Sequence, residues 1–193
     1  MTETTDFWSG TFGDGYTERN RVDWPVRVPF WADIVARTRP GTVLEVGCNA
    51  GWNLMALRSI GGGPFVRGID VNQKAIEAAA DAGLPASLMS AADVGLLFPD
   101  SFDLVFTVGV LIHVPPEELP AVMAAIVQAS RRHVLAVEYE ADADVEVEYR
   151  GHAGRLWRRP FGRLYEGLGL TTVLKMDAGP GFDRCTAWLM EKR

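Results

Sequence analysis

Short apolar runs alternate with stretches of helical spacing along most of the chain, and this alternation predicts an α/β fold. Seven short runs, most of them apolar, predict strands at 42–47, 65–72, 86–91, 102–110, 132–140, near 170–176 and near 184–191. Helices are predicted at 30–37, 53–60, 73–83, 115–130 and 159–168. Strands that alternate with helices are typical of a Rossmann-like, doubly wound, seven-stranded and mostly parallel sheet.

The first 29 residues do not follow this alternation, because they are polar and aromatic without a clear period. This segment contains Phe7, Trp8, Phe12, Tyr16 and Trp24. Aromatic side chains need burial, so the segment is either a hydrophobic flap over a sheet edge or a lid over a ligand. We expect one domain overall, with an aromatic N-terminal segment at 1–29 and the ligand-binding domain at 30–193.

Composition narrows the class of protein. Nineteen basic and 25 acidic residues give a net charge of −6, which argues against a nucleic-acid-binding protein and against binding to an anionic membrane. The N-terminus resembles no signal peptide, and no apolar run is long enough to span a bilayer. The two cysteines, Cys48 and Cys185, have no metal-ligand spacing. We therefore expect a cytoplasmic protein with reduced thiols and no bound metal.

The stretch "LEVGCNAGWN" places a glycine-rich turn at the end of the first predicted strand. Gly47 and Gly51 would let the backbone turn sharply against a ligand. Asp70 ends the second strand, where a carboxylate can bind both hydroxyls of a ribose. Glu45 precedes the glycines and suits a cationic group better than a pyrophosphate. The alternative is a structural turn, with Asp70 as the cap of the next helix.

These residues resemble a known family. "LEVGCNAG" followed by "GID" resembles the class I S-adenosylmethionine (SAM) methyltransferases. The stretches "FWSGTFGDGYTERN", "FDLVFTVGVLIHVPPEEL" and "VEYRGHAGRLWRRPFG" resemble the pseudaminic-acid-biosynthesis-associated methylases, and the similarity covers nearly the whole chain. The resemblance implies a class I methyltransferase fold, SAM as the cofactor and SAM-dependent methyl transfer.

The resemblance also implies a cofactor site at the ends of the first four strands and in the N-terminal segment. Its expected members are Tyr16, Arg19, Glu45, Gly47, Cys48, Asn49, Gly51, Asn53, Asp70, Val71, Ser90, Ala91, Thr107 and Val108. Two of them depart from the common pattern. Asn49 stands where a glycine is usual, and asparagine tolerates left-handed backbone. Ser90 replaces an aspartate that is common in relatives.

His113 and Glu138 are the expected catalytic residues, because each follows or ends a strand on the ligand side. His113 would act as a general base or orient the substrate, and the alternative is a histidine that orders the proline-rich turn after it. Methyl transfer from SAM depends mainly on alignment, so a base is needed only for some acceptors.

A basic patch follows the fifth strand and predicts a site for the methyl acceptor. Its expected acceptor-binding residues are Tyr139, Tyr149, Arg150, His152 and Arg155. Such residues suit an anionic small molecule, and the alternative is a solvated face paired with "DADVEVE" upstream. Arg159-Pro160-Phe161 lacks an aspartate that is usual in the resembled family, which points to a different acceptor.

The sequence therefore predicts methyl transfer from SAM to O or N of a small, anionic acceptor: a sugar, a sugar nucleotide or a natural-product intermediate. We expect a monomer or homodimer with no nucleic-acid or membrane partner. One alternative is a non-catalytic SAM-binding regulatory module. A nicotinamide-dependent oxidoreductase is less favoured, because the turn lacks the G-x-G-x-x-G spacing.

Overall fold

The computed structural model describes residues 2–192 and contains a seven-stranded sheet in the order β3-β2-β1-β4-β5-β9-β8. The strands of this sheet are β1 (Thr42–Val46), β2 (Phe65–Asp70), β3 (Ala86–Leu88), β4 (Phe102–Val108), β5 (Ser130–Glu138), β8 (Thr171–Asp177) and β9 (Thr186–Glu191). Neighbouring strands from β3 to β5 are parallel, while β9 is antiparallel to both β5 and β8. The predicted α/β, doubly wound, mostly parallel sheet is confirmed.

Helices cover both faces of the sheet. They are α1 (Glu3–Ser9), α2 (Thr11–Arg19), α3 (Val28–Thr38), α4 (Trp52–Ser59), α5 (Gln73–Asp81), α6 (Val94–Leu97), α7 (Leu119–Ala129) and α8 (Phe161–Gly167). Side chains of α3, α4 and α5 belong to one core cluster, and side chains of α6, α7 and α8 belong to the other. Strands covered on both faces are apolar throughout, which explains the continuous apolar runs in the sequence.

Three parts of the chain differ from the sequence prediction. The helix expected at 115–130 begins only at Leu119, because two prolines precede it and Pro120 occupies its first turn, where a missing N–H is tolerated. The N-terminal segment, for which the sequence analysis predicted no helix, contains the two helices α1 and α2. A small hairpin of β6 (Val145–Glu146) and β7 (Trp157–Arg158) was not predicted.

The fold places three chain segments at one edge of the sheet. The adjacent strands β2, β1 and β4 end at Asp70, Val46 and Val108, so the loops that follow them meet above the sheet. Ligands of open α/β sheets bind at this edge. Within residues 2–192, no helix combines the length and apolar character that crossing a membrane requires.

Candidate functional site

A cavity of about 210 Å³ lies at the carboxyl ends of β1, β2 and β4, and α1 and α2 form one of its walls. It brings together most of the residues that the sequence assigned to the cofactor and one of the two assigned to catalysis. Those that line it are Tyr16, Glu45, Gly47, Cys48, Asn49, Asn53, Asp70, Val71, Ser90, Ala91, Val108 and His113. Their assigned roles remain proposals, whereas their convergence on one cavity is a feature of the structure.

The glycine turn has left-handed backbone at three of its residues, with φ of 75° at Gly47, 47° at Asn49 and 81° at Gly51. The amides of Gly47 and Cys48 both donate to the carbonyl of Ile69, at 2.8 and 2.9 Å. The Asn49 side chain accepts a hydrogen bond from the next amide, which stabilises a conformation that most residues avoid. The turn is therefore fixed against the end of β2.

Asp70 holds this turn against the end of β2 by a hydrogen bond. Its Oδ2 accepts a hydrogen bond from the Asn49 amide at 2.8 Å, and its Oδ1 accepts one from the Asn72 amide at 2.9 Å. Burial raises the pKa of the Asp70 carboxyl, and these backbone donors act in the opposite direction. The cap of α5 is Asn72, whose side chain accepts from the amide of Ala75, so the alternative of Asp70 as helix cap is wrong.

Glu45 is a buried carboxylate with one free oxygen. Its Oε1 accepts a hydrogen bond from the side-chain amide of Asn53 at 2.6 Å, whereas Oε2 has no hydrogen-bond partner within the described residues. The oxygen of Asn53 in turn accepts from Arg27 Nη1 at 2.8 Å and from the Trp31 indole at 3.3 Å. Burial raises the pKa of Glu45 to about 8, against the opposing effects of Asn53 and Arg27.

Arg27 was not predicted to belong to the site. It is 9% exposed, lines the cavity and donates through Nε and Nη2 to the carbonyl of Gly181, at 2.9 and 2.6 Å. Its guanidinium also lies 4.5 Å from the centre of the Phe182 ring. No local signal in "WPVRVP" could have identified it, because its partners lie 26 and 154 residues away.

The N-terminal helix pair, α1 and α2, is held over the cavity by Asn72. The side-chain amide of Asn72 donates to the carbonyl of Trp8 at 3.1 Å and to Asp14 Oδ1 at 2.9 Å. Thr2 donates to Glu118 at 3.0 Å, and Glu3 pairs with Arg155. The aromatic segment therefore lies over the carboxyl ends of the strands rather than along a sheet edge.

His113 lies in a 3₁₀ turn after β4 and lines the cavity. Its Nδ1 is 2.6 Å from the carbonyl oxygen of Arg155. A carbonyl only accepts, so Nδ1 carries the proton and Nε2 keeps its lone pair. Burial lowers the pKa of His113 to about 4, which makes the ring neutral at pH 7. The ring packs between Trp8 and Tyr149, with both centroid distances at 4.7 Å.

Several predicted site residues do not line this cavity. Arg19 is exposed, and its guanidinium lies over the Phe12 and Tyr16 rings at 5.0 and 5.6 Å. Gly51 faces Leu84, which a Cβ atom at this position would approach to 2.2 Å. Thr107 is buried in β4. The sequence pattern places these residues near the correct loops but does not reveal the direction of each side chain.

The predicted acceptor patch also lies outside the cavity. His152 and Arg155 contact Phe7 at 5.3 and 4.5 Å, and neither lines the cavity. Arg150 is exposed and stacks on Tyr149, which packs against His113 without lining the cavity. Tyr139 packs against both core clusters. The patch therefore lies beside the cavity rather than in its lining, which the sequence could not reveal.

Glu138 does not reach the cavity either, so its expected catalytic position is wrong. The side chain is fully buried at the end of β5, beneath the turn that carries His113. Its Oε1 accepts hydrogen bonds from the amides of Val110 and Leu111 at 3.2 and 3.1 Å, and its Oε2 accepts one from Ile112 at 3.4 Å. Burial raises its pKa to about 7. Glu138 therefore positions the turn on which His113 lies.

Part of the chain is similar in sequence to known methyltransferases. Residues 43–133 match the family model described as a methyltransferase domain. The chain is also 33% identical over 105 residues to the ubiquinone biosynthesis O-methyltransferase of Thiobacillus denitrificans. That alignment covers 51% of this chain and 44% of the relative, so the chain matches less than half of the length of this curated relative. Residues 43–133 are therefore similar to a methyltransferase domain, in agreement with the resemblance found in the sequence.

Solved structures share the fold. Magnesium protoporphyrin IX methyltransferase from Synechocystis, with bound S-adenosylhomocysteine, aligns with a TM-score of 0.73, 15% identity and 98% coverage of both chains. The 1,6-didemethyltoxoflavin-N1-methyltransferase of Burkholderia thailandensis aligns with a TM-score of 0.72 and 19% identity, covering 98% of this chain and 86% of that one. At these identities the likeness extends to the fold alone.

Replacing Glu138 with glutamine should destabilise the protein, because the amide that replaces one oxygen cannot accept a backbone hydrogen bond. We expect a loss of about 1–3 kcal/mol in the free energy of unfolding, measured by urea denaturation. Glu140→Gln is the matched control, since Glu140 is only half-buried and pairs with Lys175 at the surface. Equal stability of the two variants would contradict the anchoring role of Glu138.

His113 should be neutral, with its proton on Nδ1, from pH 5 to 8. Its hydrogen bond to the Arg155 carbonyl fixes this tautomer, and burial holds the pKa near 4. Nitrogen-detected NMR of the imidazole rings measures both properties, and His113→Asn assigns the signal among the three histidines. A proton on Nε2, or titration near 6.5, would overturn this assignment.

Proposed function

We propose that this protein transfers a methyl group from SAM to an oxygen or nitrogen atom of a small-molecule acceptor. The observation that carries the proposal is the position of Glu45 and Asp70 in the cavity. Two acidic side chains at the ends of adjacent parallel strands line one cavity, on either side of a left-handed glycine turn. One end of SAM is an amino acid with an ammonium group, and the other is a nucleoside with two ribose hydroxyls. Two separated acidic side chains can therefore bind one end each.

The polar atoms of the cavity fit this cofactor. The free Oε2 of buried Glu45 suits the ammonium group, and Arg27 is the cation on the same side for the carboxylate. Asp70 suits the ribose hydroxyls, and Val71, Ser90 and Ala91 form the wall beyond it. Thr17 Oγ1 and the Trp52 indole nitrogen are further buried polar atoms of the lining without a partner in the described chain.

Bound SAM supplies a methyl group attached to a positively charged sulfur, and that sulfur leaves as a neutral thioether when an acceptor atom attacks the methyl carbon. The chain contributes position, exclusion of water by α1 and α2, and a lone pair at His113 Nε2 that accepts a hydrogen bond from the attacking hydroxyl or amine. Because burial keeps the pKa of His113 low, its role is to orient the attacking group, and the acceptor's proton passes to solvent once the methylated product leaves the cavity.

The relatives and the sequence resemblance indicate the class of acceptor. The curated relative is an O-methyltransferase and one structural relative is an N-methyltransferase, so either acceptor atom is compatible with the family. The resemblance to pseudaminic-acid-associated methylases supports a sugar or a natural-product intermediate. We do not retain the expected anionic acceptor, because the basic patch lies outside the cavity.

S-adenosylhomocysteine should bind more tightly as pH rises from 6 to 8. Glu45 has a pKa of about 8 in the free protein, so below that pH it is mostly protonated and must lose its proton to bind an ammonium group. The affinity, measured by calorimetry, should rise by about tenfold per pH unit and level off near pH 8. Calorimetry in buffers of different ionisation enthalpy should show the matching proton release.

Glu45→Gln should bind more weakly and without this pH dependence, whereas Glu77→Gln on the exposed face of α5 should behave like the wild type. A flat pH profile in the wild type would contradict the role of Glu45. Binding of S-adenosylhomocysteine without methyl transfer from labelled SAM to any member of a panel of phenols and amines would instead favour the non-catalytic module.

A further inference from the structure

The acceptor end of the cavity differs in charge from the predicted acceptor patch. This end lies beyond Val108 and is lined by Thr4, Thr5, Trp8, Gly109, Val110, His113, Val114, Glu118 and Val122. Its lining combines apolar side chains with polar ones, and its one charged side chain within the described residues is Glu118. A cation of the cavity lining, Arg27, lies at the glycine-turn end and is hydrogen-bonded to Asn53 and Gly181.

A second cavity of about 230 Å³ adjoins this end and shares Thr4 and Glu118 with it. We call it the outer groove, and its lining is Glu3, Thr4, Pro115, Glu117, Glu118, Ala153, Gly154, Arg155 and Trp157. Three carboxylates face one arginine, and that arginine is already paired with Glu3. The groove therefore has an excess of negative charge next to the acceptor end.

Thr4 provides an independent sign of a ligand at the junction. It is 8% exposed, lines both cavities, and its Oγ1 has no hydrogen-bond partner in the described part of the chain. A buried hydroxyl without a partner costs free energy, so a polar group beside it would be favoured. The Trp8 indole nitrogen lies on the same helix, lines the main cavity and also lacks a partner.

We propose that the acceptor is an amine-bearing molecule whose apolar ring lies against Trp8 and His113, while its cationic amine extends past Thr4 to Glu118 and Glu117. This inference rests on the proposed function and adds the charge of the substrate to it. An ammonium group donates to Thr4 Oγ1 and to Glu118, whose Oε2 also accepts a hydrogen bond from Thr2 at the surface. A carboxylate in the same place would lie beside two like charges, Glu117 and Glu118, the first of which also interacts with Arg159.

Three phenols of matched size test the charge preference: tyramine, which is cationic, 4-ethylphenol, which is neutral, and 4-hydroxyphenylacetate, which is anionic. Ligand-observed NMR titrations would use the full chain saturated with S-adenosylhomocysteine, and saturation is checked first by calorimetry. We expect tyramine to bind at least tenfold more tightly than 4-hydroxyphenylacetate, with 4-ethylphenol between them. Equal or reversed affinities, or no binding of tyramine, would overturn the proposal.

Glu118→Gln locates the effect. This variant should reduce the preference for tyramine over 4-ethylphenol about fivefold to tenfold by weakening tyramine binding, whereas Glu77→Gln should leave both affinities at the wild-type values. An unchanged preference in Glu118→Gln would mean that the amine does not reach the outer groove. Failure of S-adenosylhomocysteine to bind in the first calorimetric step would count against the proposed function itself, which separates the two tests.

Discussion

The hydrogen-bonded chain Gly181–Arg27–Asn53–Glu45 is the constraint on which the site depends. It links the loop before β9, the start of α3, the first turn of α4 and the end of β1. A buried carboxylate is unfavourable unless it is paired, and here Asn53 satisfies only one of its two oxygens. The fold thereby keeps a carboxylate oxygen available at the cavity wall, and its unusual protonation follows from the same burial.

The remaining parts of the site are built around the adjacent strand ends. Asp70 secures the glycine turn, and Glu138 secures the turn after β4 by three backbone hydrogen bonds. That second turn places His113 against Trp8, so a buried residue in β5 determines where the acceptor end lies. Asn72 then closes the arrangement by bonding to α1 and α2. The cofactor end and the acceptor end are therefore held by separate buried polar groups.

The sequence predicted the parts of this protein that depend on local pattern. Apolar runs identified the parallel strands, and the spacing of Glu45, the glycines and Asp70 correctly predicted that they would meet. The left-handed conformation of Asn49 followed from its residue type. Long-range packing decided the rest. Arg27 lines the cavity instead of Arg19 because a loop near residue 181 fixes it there, and the basic side chains after residue 149 lie outside the cavity lining.

A crystal structure of the protein with S-adenosylhomocysteine would show directly which end of the ligand Glu45 and Asp70 each bind. The account predicts the ammonium group within hydrogen-bond distance of Glu45 Oε2, the ribose hydroxyls on Asp70, and the thioether sulfur facing the acceptor end between Val108 and His113. A ligand bound elsewhere, or one whose ribose and amino-acid ends are exchanged between the two carboxylates, would contradict it.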